Sequence, residues 1–295
     1  MKKNFKHKKF AFSLIEISMV ILIIGMLIAG ISQGIDLYQD AKLSTARTLT
    51  KNSRINRIPD LELWLETTLD ESFISSEKIH NSNISSWLDI NNQSNFKKSV
   101  SQSATAQKPK YILQAFDNSL PAVQFDGSDD NFPFNSTYMN GGNFTIFVVE
   151  QRRSAGTHKY FIGGGGSGVF HLGYSESSKI RVGQYGSPDA NFFDYTINSF
   201  KTTEIIPRIH SFILSSTNGK KYWLNGGGAP DKSSSNLTTL SNFSGYIGVT
   251  EFSTATPHHF NGDIGEIIIF SRELNDKERI DVEKYLSKKF NISLS

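Results

Sequence analysis

The stretch Ile58-Pro59-Asp60-Leu61-Glu62-Leu63-Trp64-Leu65 divides this chain of 295 residues into two kinds of sequence. Pro59 is the first proline, and a proline biases the residue before it away from helix. Ahead of it the sequence is helical in character. From Leu14 to Ile31 nearly every residue is apolar, and from Ser32 to about Asn56 Ile35, Tyr38, Ala41 and Leu49 are interspersed with Asp36, Asp40, Lys42, Arg47 and Lys51. One helix from about Ser13 to about Arg54 is expected, apolar over 14–31 and amphipathic over 32–56. At about 1.5 Å per residue, the apolar part is long enough to cross ~27–30 Å of hydrocarbon.

After Pro59 the helical period disappears. Short runs rich in β-branched and aromatic residues follow, separated by Gly, Asn, Ser and Asp. The candidates are Leu61–Glu66, Ala122–Phe125, Phe144–Glu150, Tyr160–Ile162, Val169–Tyr174, Lys179–Tyr185, Phe192–Ile197, Arg208–Ser215, Lys221–Leu224, Tyr246–Val249 and Ile264–Phe270. This spacing predicts a mainly β domain over 58–295, an antiparallel sandwich. Glu71–Pro109 is polar and rich in Ser and Asn, either irregular loop or a short subsegment packed over the sheets, with an anchor point at Trp87 and Leu88. A C-terminal helix is expected, capped by Asn275 with Glu278 completing a capping box.

The N-terminus is basic, with Lys2, Lys3, Lys6, Lys8 and Lys9 ahead of the apolar run. These lysines predict a cytoplasmic N-terminus and an outward-facing remainder. They also supply the net charge of +3, and without them the side chains sum to about −2. The basic balance is therefore a targeting feature, and no nucleic-acid partner is expected. There is no cysteine, which excludes disulfides and thiolate chemistry.

Glu16 is the anomaly, a carboxylate at the start of a membrane-length segment, where ionisable groups are costly. Ala11-Phe12-Ser13-Leu14-Ile15-Glu16 followed by an apolar helix resembles the class III leader of type IV prepilins and of the pseudopilins of type II secretion. That resemblance implies cleavage between Ala11 and Phe12 by a prepilin peptidase, which removes residues 1–11. It further implies N-methylation of Phe12, and pairing of Glu16 with the N-terminal amine of a neighbouring pilin subunit during assembly. The family usually carries Gly where Ala11 stands. It places the protein in a bacterial inner membrane with a periplasmic or extracellular head, in a pilus or pseudopilus. An uncleaved anchor, and a signal peptide cut near Ala29-Gly30-Ile31-Ser32, are the other readings of the same segment.

The region 58–292 resembles the laminin-G-like, concanavalin A-like jelly roll of bacterial surface proteins. The matching residues are Ile58–Leu65, Ser86-Trp87-Leu88-Asp89, Pro109-Lys110-Tyr111, Leu120–Asp130 and Gly262–Phe270. The resemblance implies binding of carbohydrate or protein, in some members with calcium at the rim.

Asp126, Asp129 and Asp130 are the candidate cation ligands, through hard oxygens, but their spacing is not that of an EF-hand and a polar turn built on Asp and Gly is the simpler reading. No other cofactor is expected. Gly163–Gly168 lacks the Lys and Ser/Thr of a phosphate loop and reads as a flexible hairpin loop. His258 and His259 are neighbours that would point to opposite faces of a strand, so they read as loop histidines. Tyr185, Phe192, Phe193 and Tyr195 could stack on sugars or fill the core. No Glu-x-Asp-x-x-Glu, Gly-x-Ser-x-Gly or His-Glu-x-x-His run occurs, so the chain reads as a non-enzyme. The expectation is a pilin-like or pseudopilin-like subunit displaying a lectin-like head for adhesion or protein interaction. The alternative is a membrane-anchored carbohydrate-binding adhesin that forms no filament.

Overall fold

The computed structural model describes residues 13–165, 169–185, 191–198, 205–236, 244–250 and 257–295. It divides into two compact units, residues 1–42 and 43–295. Helix α1 is Leu14–Lys51 and helix α2 is Asp276–Phe290. The strands in chain order are β1 Leu61–Glu66, β2 Ser86–Trp87, β3 Val100–Ser101, β4 Lys110–Phe116, β5 Leu120–Asp126, β6 Phe132–Asn135, β7 Phe144–Arg152, β8 Lys159–Gly165 and β9 Val169–Glu176. They continue with β10 Lys179–Tyr185, β11 Asn191–Thr196, β12 Pro207–Ser215, β13 Gly219–Leu224, β14 Lys232–Ser234, β15 Ser244–Ile247, β16 Val249–Thr250, β17 His258–His259 and β18 Asn261–Phe270.

The second unit is an antiparallel jelly-roll β-sandwich. One sheet runs β14-β13-β12-β7-β18-β5-β4, with β1 also paired to β18. The other runs β11-β10-β9-β8-β15-β6. Strand alternation explains the layering. In β7, Ile146 and Val148 face the six-stranded sheet, while Phe147 and Val149 face α2. The larger sheet is thus buried on both sides, and each buried large apolar side chain contributes about 1.5–3 kcal/mol. The second core also takes in Ala46, Ile55 and Ile58.

Helix α1 stops at Lys51, short of Pro59. Its end tightens, with Ser53 N donating to Thr50 O at 3.2 Å. The chain then turns so that Ile55 and Ile58 reach the core at 1% and 7% exposure. Core burial ends the helix before proline does. Arg47 fastens the last turns to the sandwich, its Nε donating to Thr68 O at 2.8 Å.

Several strands escaped the sequence pattern for local reasons. The register of β4 shifts between Ile112 and Phe116, which breaks its alternation. The short edge strand β6 contains Pro133, a residue confined to edges. Glu71–Pro109 holds 3-10 turns and the β2–β3 ribbon, and Trp87 is fully buried there. Gly163, Gly164 and Gly165 lie in β8, paired with Tyr246, Gly245 and Ser244, so the glycine run begins as strand and not as a hairpin loop; 166–168 lie outside the described residues. A Cβ on Gly163 would sit 1.6 Å from Thr250 Oγ1, so the glycine admits β16 against β8. Asn275 and Glu278 form the expected capping box.

Beneath α2 lies a buried ion group. Lys289 Nζ donates to Glu66 Oε2 and Glu266 Oε2, each at 2.8 Å, with all three side chains fully buried. Trp64 Nε1 and Tyr285 Oη also donate to Glu266 Oε1, and Tyr285 Oη lies 3.0 Å from Thr50 Oγ1 in α1. Burial pushes the Glu66 carboxyl up, but Lys289, Ser72 and Thr68 more than reverse this and hold it below the usual value. Glu266 stays above it, through burial and the charge of Glu66.

Candidate functional site

Leu14–Lys51 begins with a membrane-length apolar surface that no described residue covers. Its large apolar residues from Leu14 to Ile31 are 49–86% exposed, and its most apolar window has a mean hydropathy of 2.6. A Cβ added at Gly25, Gly30 or Gly34 would meet nothing within 4 Å. Glu16 closes the helix start, with its Oε2 accepting from Ser13 N at 2.8 Å. A carboxylate in the first turn also complements the helix dipole. Ala11 and Phe12 lie outside the described residues.

On the α2 side of the larger sheet, polar side chains from several strands line up. Pairing aligns Lys110 of β4, Gln124 of β5, Asp263 of β18, Gln151 of β7 and Pro207 of β12 in one row across five strands. Alternation puts them on the α2 side, because Val123, Val148 and Ile264 face the inner core. Asp263 anchors the row. It is fully buried and accepts from Gln124 Nε2 at 2.9 Å, Gln151 Nε2 at 2.8 Å and Arg153 Nε at 2.8 Å. Arg153 hydrogen-bonds through Nε to both Asp263 carboxylate oxygens and through its backbone N to Asn261 O.

A cleft adjoins each end of the row. One, of about 530 Å³, is lined by Gln114, Asp117, Asn118, Gln151, Arg153 and Asn291, with Pro207, Ile205 and Phe290 as apolar wall. The other, of about 430 Å³, is lined by Asn83, Thr105, Lys108, Lys110, Gln124, Asp126 and Asp130. Asp126, Asp129 and Asp130 do come together, with carboxylate oxygens within 4.8 Å of one another. They also serve the turn: Asp126 Oδ1 accepts from Ser128 N at 2.7 Å, and Asp130 Oδ2 from Asp126 N at 2.9 Å. Burial, reinforced by Asp126 and Asp129, pushes the Asp130 carboxyl up to about 7.

The outer face of the six-stranded sheet carries a second polar patch. Arg181 of β10 pairs with Asp194 of β11 through two bonds of 2.9 and 2.8 Å, and its guanidinium lies 3.9 Å from the Phe192 ring centre. Next to it, His158 and His258 rings lie 4.4 Å apart and Tyr160 and His171 rings 4.2 Å apart. His258 and His259 form strand β17 and are not loop residues. Burial first, then neighbouring cations, lowers His171 to about 3 and His258 to about 4, so both are neutral at pH 7. Of the aromatics singled out in the sequence, Phe193 is buried and packs into the inner core, with Tyr195 against it. Phe192 stays half-exposed on the outer face.

The transverse row was not read from the sequence. Gln124 and Asp263 each sit among β-forming residues as ordinary outward positions, and only the pairing register brings them together.

No family model matches the chain, and no curated protein matches it. Solved structures are similar in fold. A structure of botulinum neurotoxin type C, concerned with its interaction with two ganglioside molecules, has a TM-score of 0.52 at 12% identity, covering 80% of this chain and 53% of that one. The binding domain of botulinum neurotoxin DC in complex with SialylT has a TM-score of 0.51 at 14% identity, covering 79% and 52%. Trypanosoma rangeli sialidase matches at 0.49 and 14% identity, over 80% of this chain and 34% of the enzyme. The chain thus spans about half or less of these proteins. At such identities the likeness establishes the fold, a lectin-like antiparallel β-sandwich.

Proposed function

We propose that this protein is a membrane-anchored, surface-displayed binding subunit, processed before Phe12 like a prepilin, whose sandwich head binds glycan. The observation that supports it most is the joining, in one continuous α1, of an exposed apolar segment to a lectin-like head. A helix surface of that length and apolarity requires lipid or other helices around it. Prepilin peptidase and other pilin-type subunits are the partners this reading implies for the stem, and Glu16 is its assembly residue. The neurotoxin structures concern an interaction with two ganglioside molecules and a complex with SialylT, and the amide-rich clefts of this head have the planar polar groups that sugar hydroxyls need. The reading is one of binding and not of catalysis. Asp263, the carboxylate at the centre of the row, is held by three donor side chains. Asp126, Asp129 and Asp130 are where calcium would bind.

The mass and N-terminal sequence of the mature protein test the processing. An N-methylated Phe12 is expected, and an intact Met1 or a start near Ser32 would overturn it. A glycan array with the full chain in detergent, with and without calcium, tests the head; no binding in either condition would end the glycan reading. Glu16→Ala separates the two stem readings. Loss of filament incorporation is expected for a pilin-type subunit, whereas unchanged surface display and incorporation would favour an anchored adhesin that does not assemble.

A further inference from the structure

We infer that His158 and His258 form a two-nitrogen site for a divalent transition-metal ion, Cu2+ or Ni2+, beside the outer face of the six-stranded sheet. The site stands apart from the glycan reading and from the carboxylates assigned to calcium. Packing of β16 and β17 on β8 brings the two rings together. His158 immediately precedes β8, and its backbone N donates to Ser175 O of β9 at 3.2 Å. His258 opens β17 opposite Thr250 of β16, and Thr250 lies against Gly163 of β8. Alternation along β17 turns its two histidines apart. His259 lies in the field of Asp126 and Asp129, whereas His258 meets His158. The pairing is therefore between distant histidines and not between neighbours.

The spacing suits a metal. The ring centres are 4.4 Å apart, with their planes 32° apart. With metal–nitrogen bonds of about 2.0–2.1 Å, two imidazoles bound at a right angle have centres ~4.5 Å apart, and at a tetrahedral angle ~5.2 Å. The observed spacing fits adjacent positions of a square or octahedral ion, the geometry of Cu2+ and Ni2+, better than tetrahedral zinc. Solvent would fill the remaining positions. The fully buried Tyr160 forms the floor, its ring centre 6.3 Å from each imidazole. His171 packs on Tyr160 at 4.2 Å and is 2% exposed, so it supports the floor and is not a ligand.

The surroundings favour an ion held by ligand bonds over one held by charge. Burial, then Arg181, lowers His158, and burial, then its cationic neighbours, lowers His258 to about 4, so protons compete weakly with a metal at pH 7. Asp194 answers the charge of Arg181, and Glu176 acts on His158, but Lys159 opposes a cation. A hard ion gains little there, whereas imidazole suits copper and nickel.

The test is calorimetric titration of the full chain in detergent, without a histidine tag and after chelator treatment, with CuCl2, NiCl2, ZnCl2 and CaCl2. Cu2+ should bind tightest, and Ca2+ should not compete with it. The EPR spectrum of the Cu2+ form should show coupling to two nitrogens. His158 has φ 56°, so His158→Gly removes the ring and keeps the left-handed backbone. His158→Gly and His258→Ala should each weaken Cu2+ binding by about tenfold or more and lose one nitrogen coupling. His80→Ala, at an exposed histidine elsewhere, should bind like the parent. Two-nitrogen coupling that survives in both ring-deleted variants would place the ion elsewhere and overturn the site. Failure of the parent to bind Cu2+ or Ni2+ would overturn it outright, and tighter binding of Zn2+ than of Cu2+ would overturn the class of ion.

Discussion

The two ends of α1 invert the usual relation between hydrophobicity and burial. Leu14–Ile31 holds the most apolar sequence in the protein, yet its residues are exposed. The more polar end near Lys51 contributes Ala46 and Thr50, both 2% exposed, to the compact head. Periodicity accounts for the second case: a helix with one apolar stripe packs on a core. The first has no stripe and is apolar all round, so its burial belongs to another solvent, a membrane or a bundle of helices. One helix thus carries two kinds of surface, and each should respond to a different kind of substitution.

The largest expected effect is on the head. Lys289→Ala would leave Glu66 and Glu266 buried without their cation, and should cost about 3–5 kcal/mol. Chemical denaturation of the full chain in detergent, followed by tryptophan fluorescence, reads this directly. A loss near zero would mean that both carboxylates become protonated or hydrated at little cost. Ile24→Asp is the counterpart in the stem. It should cost ~3 kcal/mol of membrane insertion and release protein from carbonate-washed membranes, with the head's denaturation midpoint unchanged. A shifted midpoint would show that the two ends of α1 are not independent.

Smaller effects refine the head's side of the contrast. Asn275→Ala removes the cap of α2 and should lower stability by about 1 kcal/mol. Because the capping box lies far along α2 from Lys289, the two losses should add in the double variant. The smallest effect at neutral pH is the titration of the histidine patch. His171 and His258 are held below their unfolded value of 6.5, at about 3 and about 4. The unfolded chain therefore binds more protons between those values and 6.5, and stability is full above pH 6.5 and falls as pH drops through this window. His258→Gln should flatten the part of the slope between pH 6.5 and about 4; an unchanged slope would mean that burial does not hold this imidazole neutral.

Much of the architecture could be read without coordinates, because it follows from local rules. The β1 run Leu61–Glu66 and the β10 run Lys179–Tyr185 match the structure end to end, and Asn275 and Glu278 signalled a helix start that is present as a capping box. The misreadings have tertiary causes. α1 ended early because Ile55 and Ile58 turn into the core, and Gly163–Gly165 became strand because β15 supplies a partner. Of the candidate site residues, Asp126, Asp129 and Asp130 lie together because they share one turn, which Asp126 and Asp130 themselves hydrogen-bond. The transverse row could not be anticipated, since Lys110, Gln124, Gln151, Pro207 and Asp263 are far apart in sequence and meet only through strand register.

The sequence by itself determined that helix gives way to strands around Pro59, that the N-terminal helix is apolar all round over Leu14–Ile31, and which faces of the long strands are apolar. These follow from residue type and period, which act over a few residues. Only the tertiary structure decided which strands neighbour one another, that Lys289 is shared between Glu66 and Glu266, and that residues from five strands line up in one row on the α2 side. Those depend on register and on what each element covers, and both are set by packing between segments far apart in the chain.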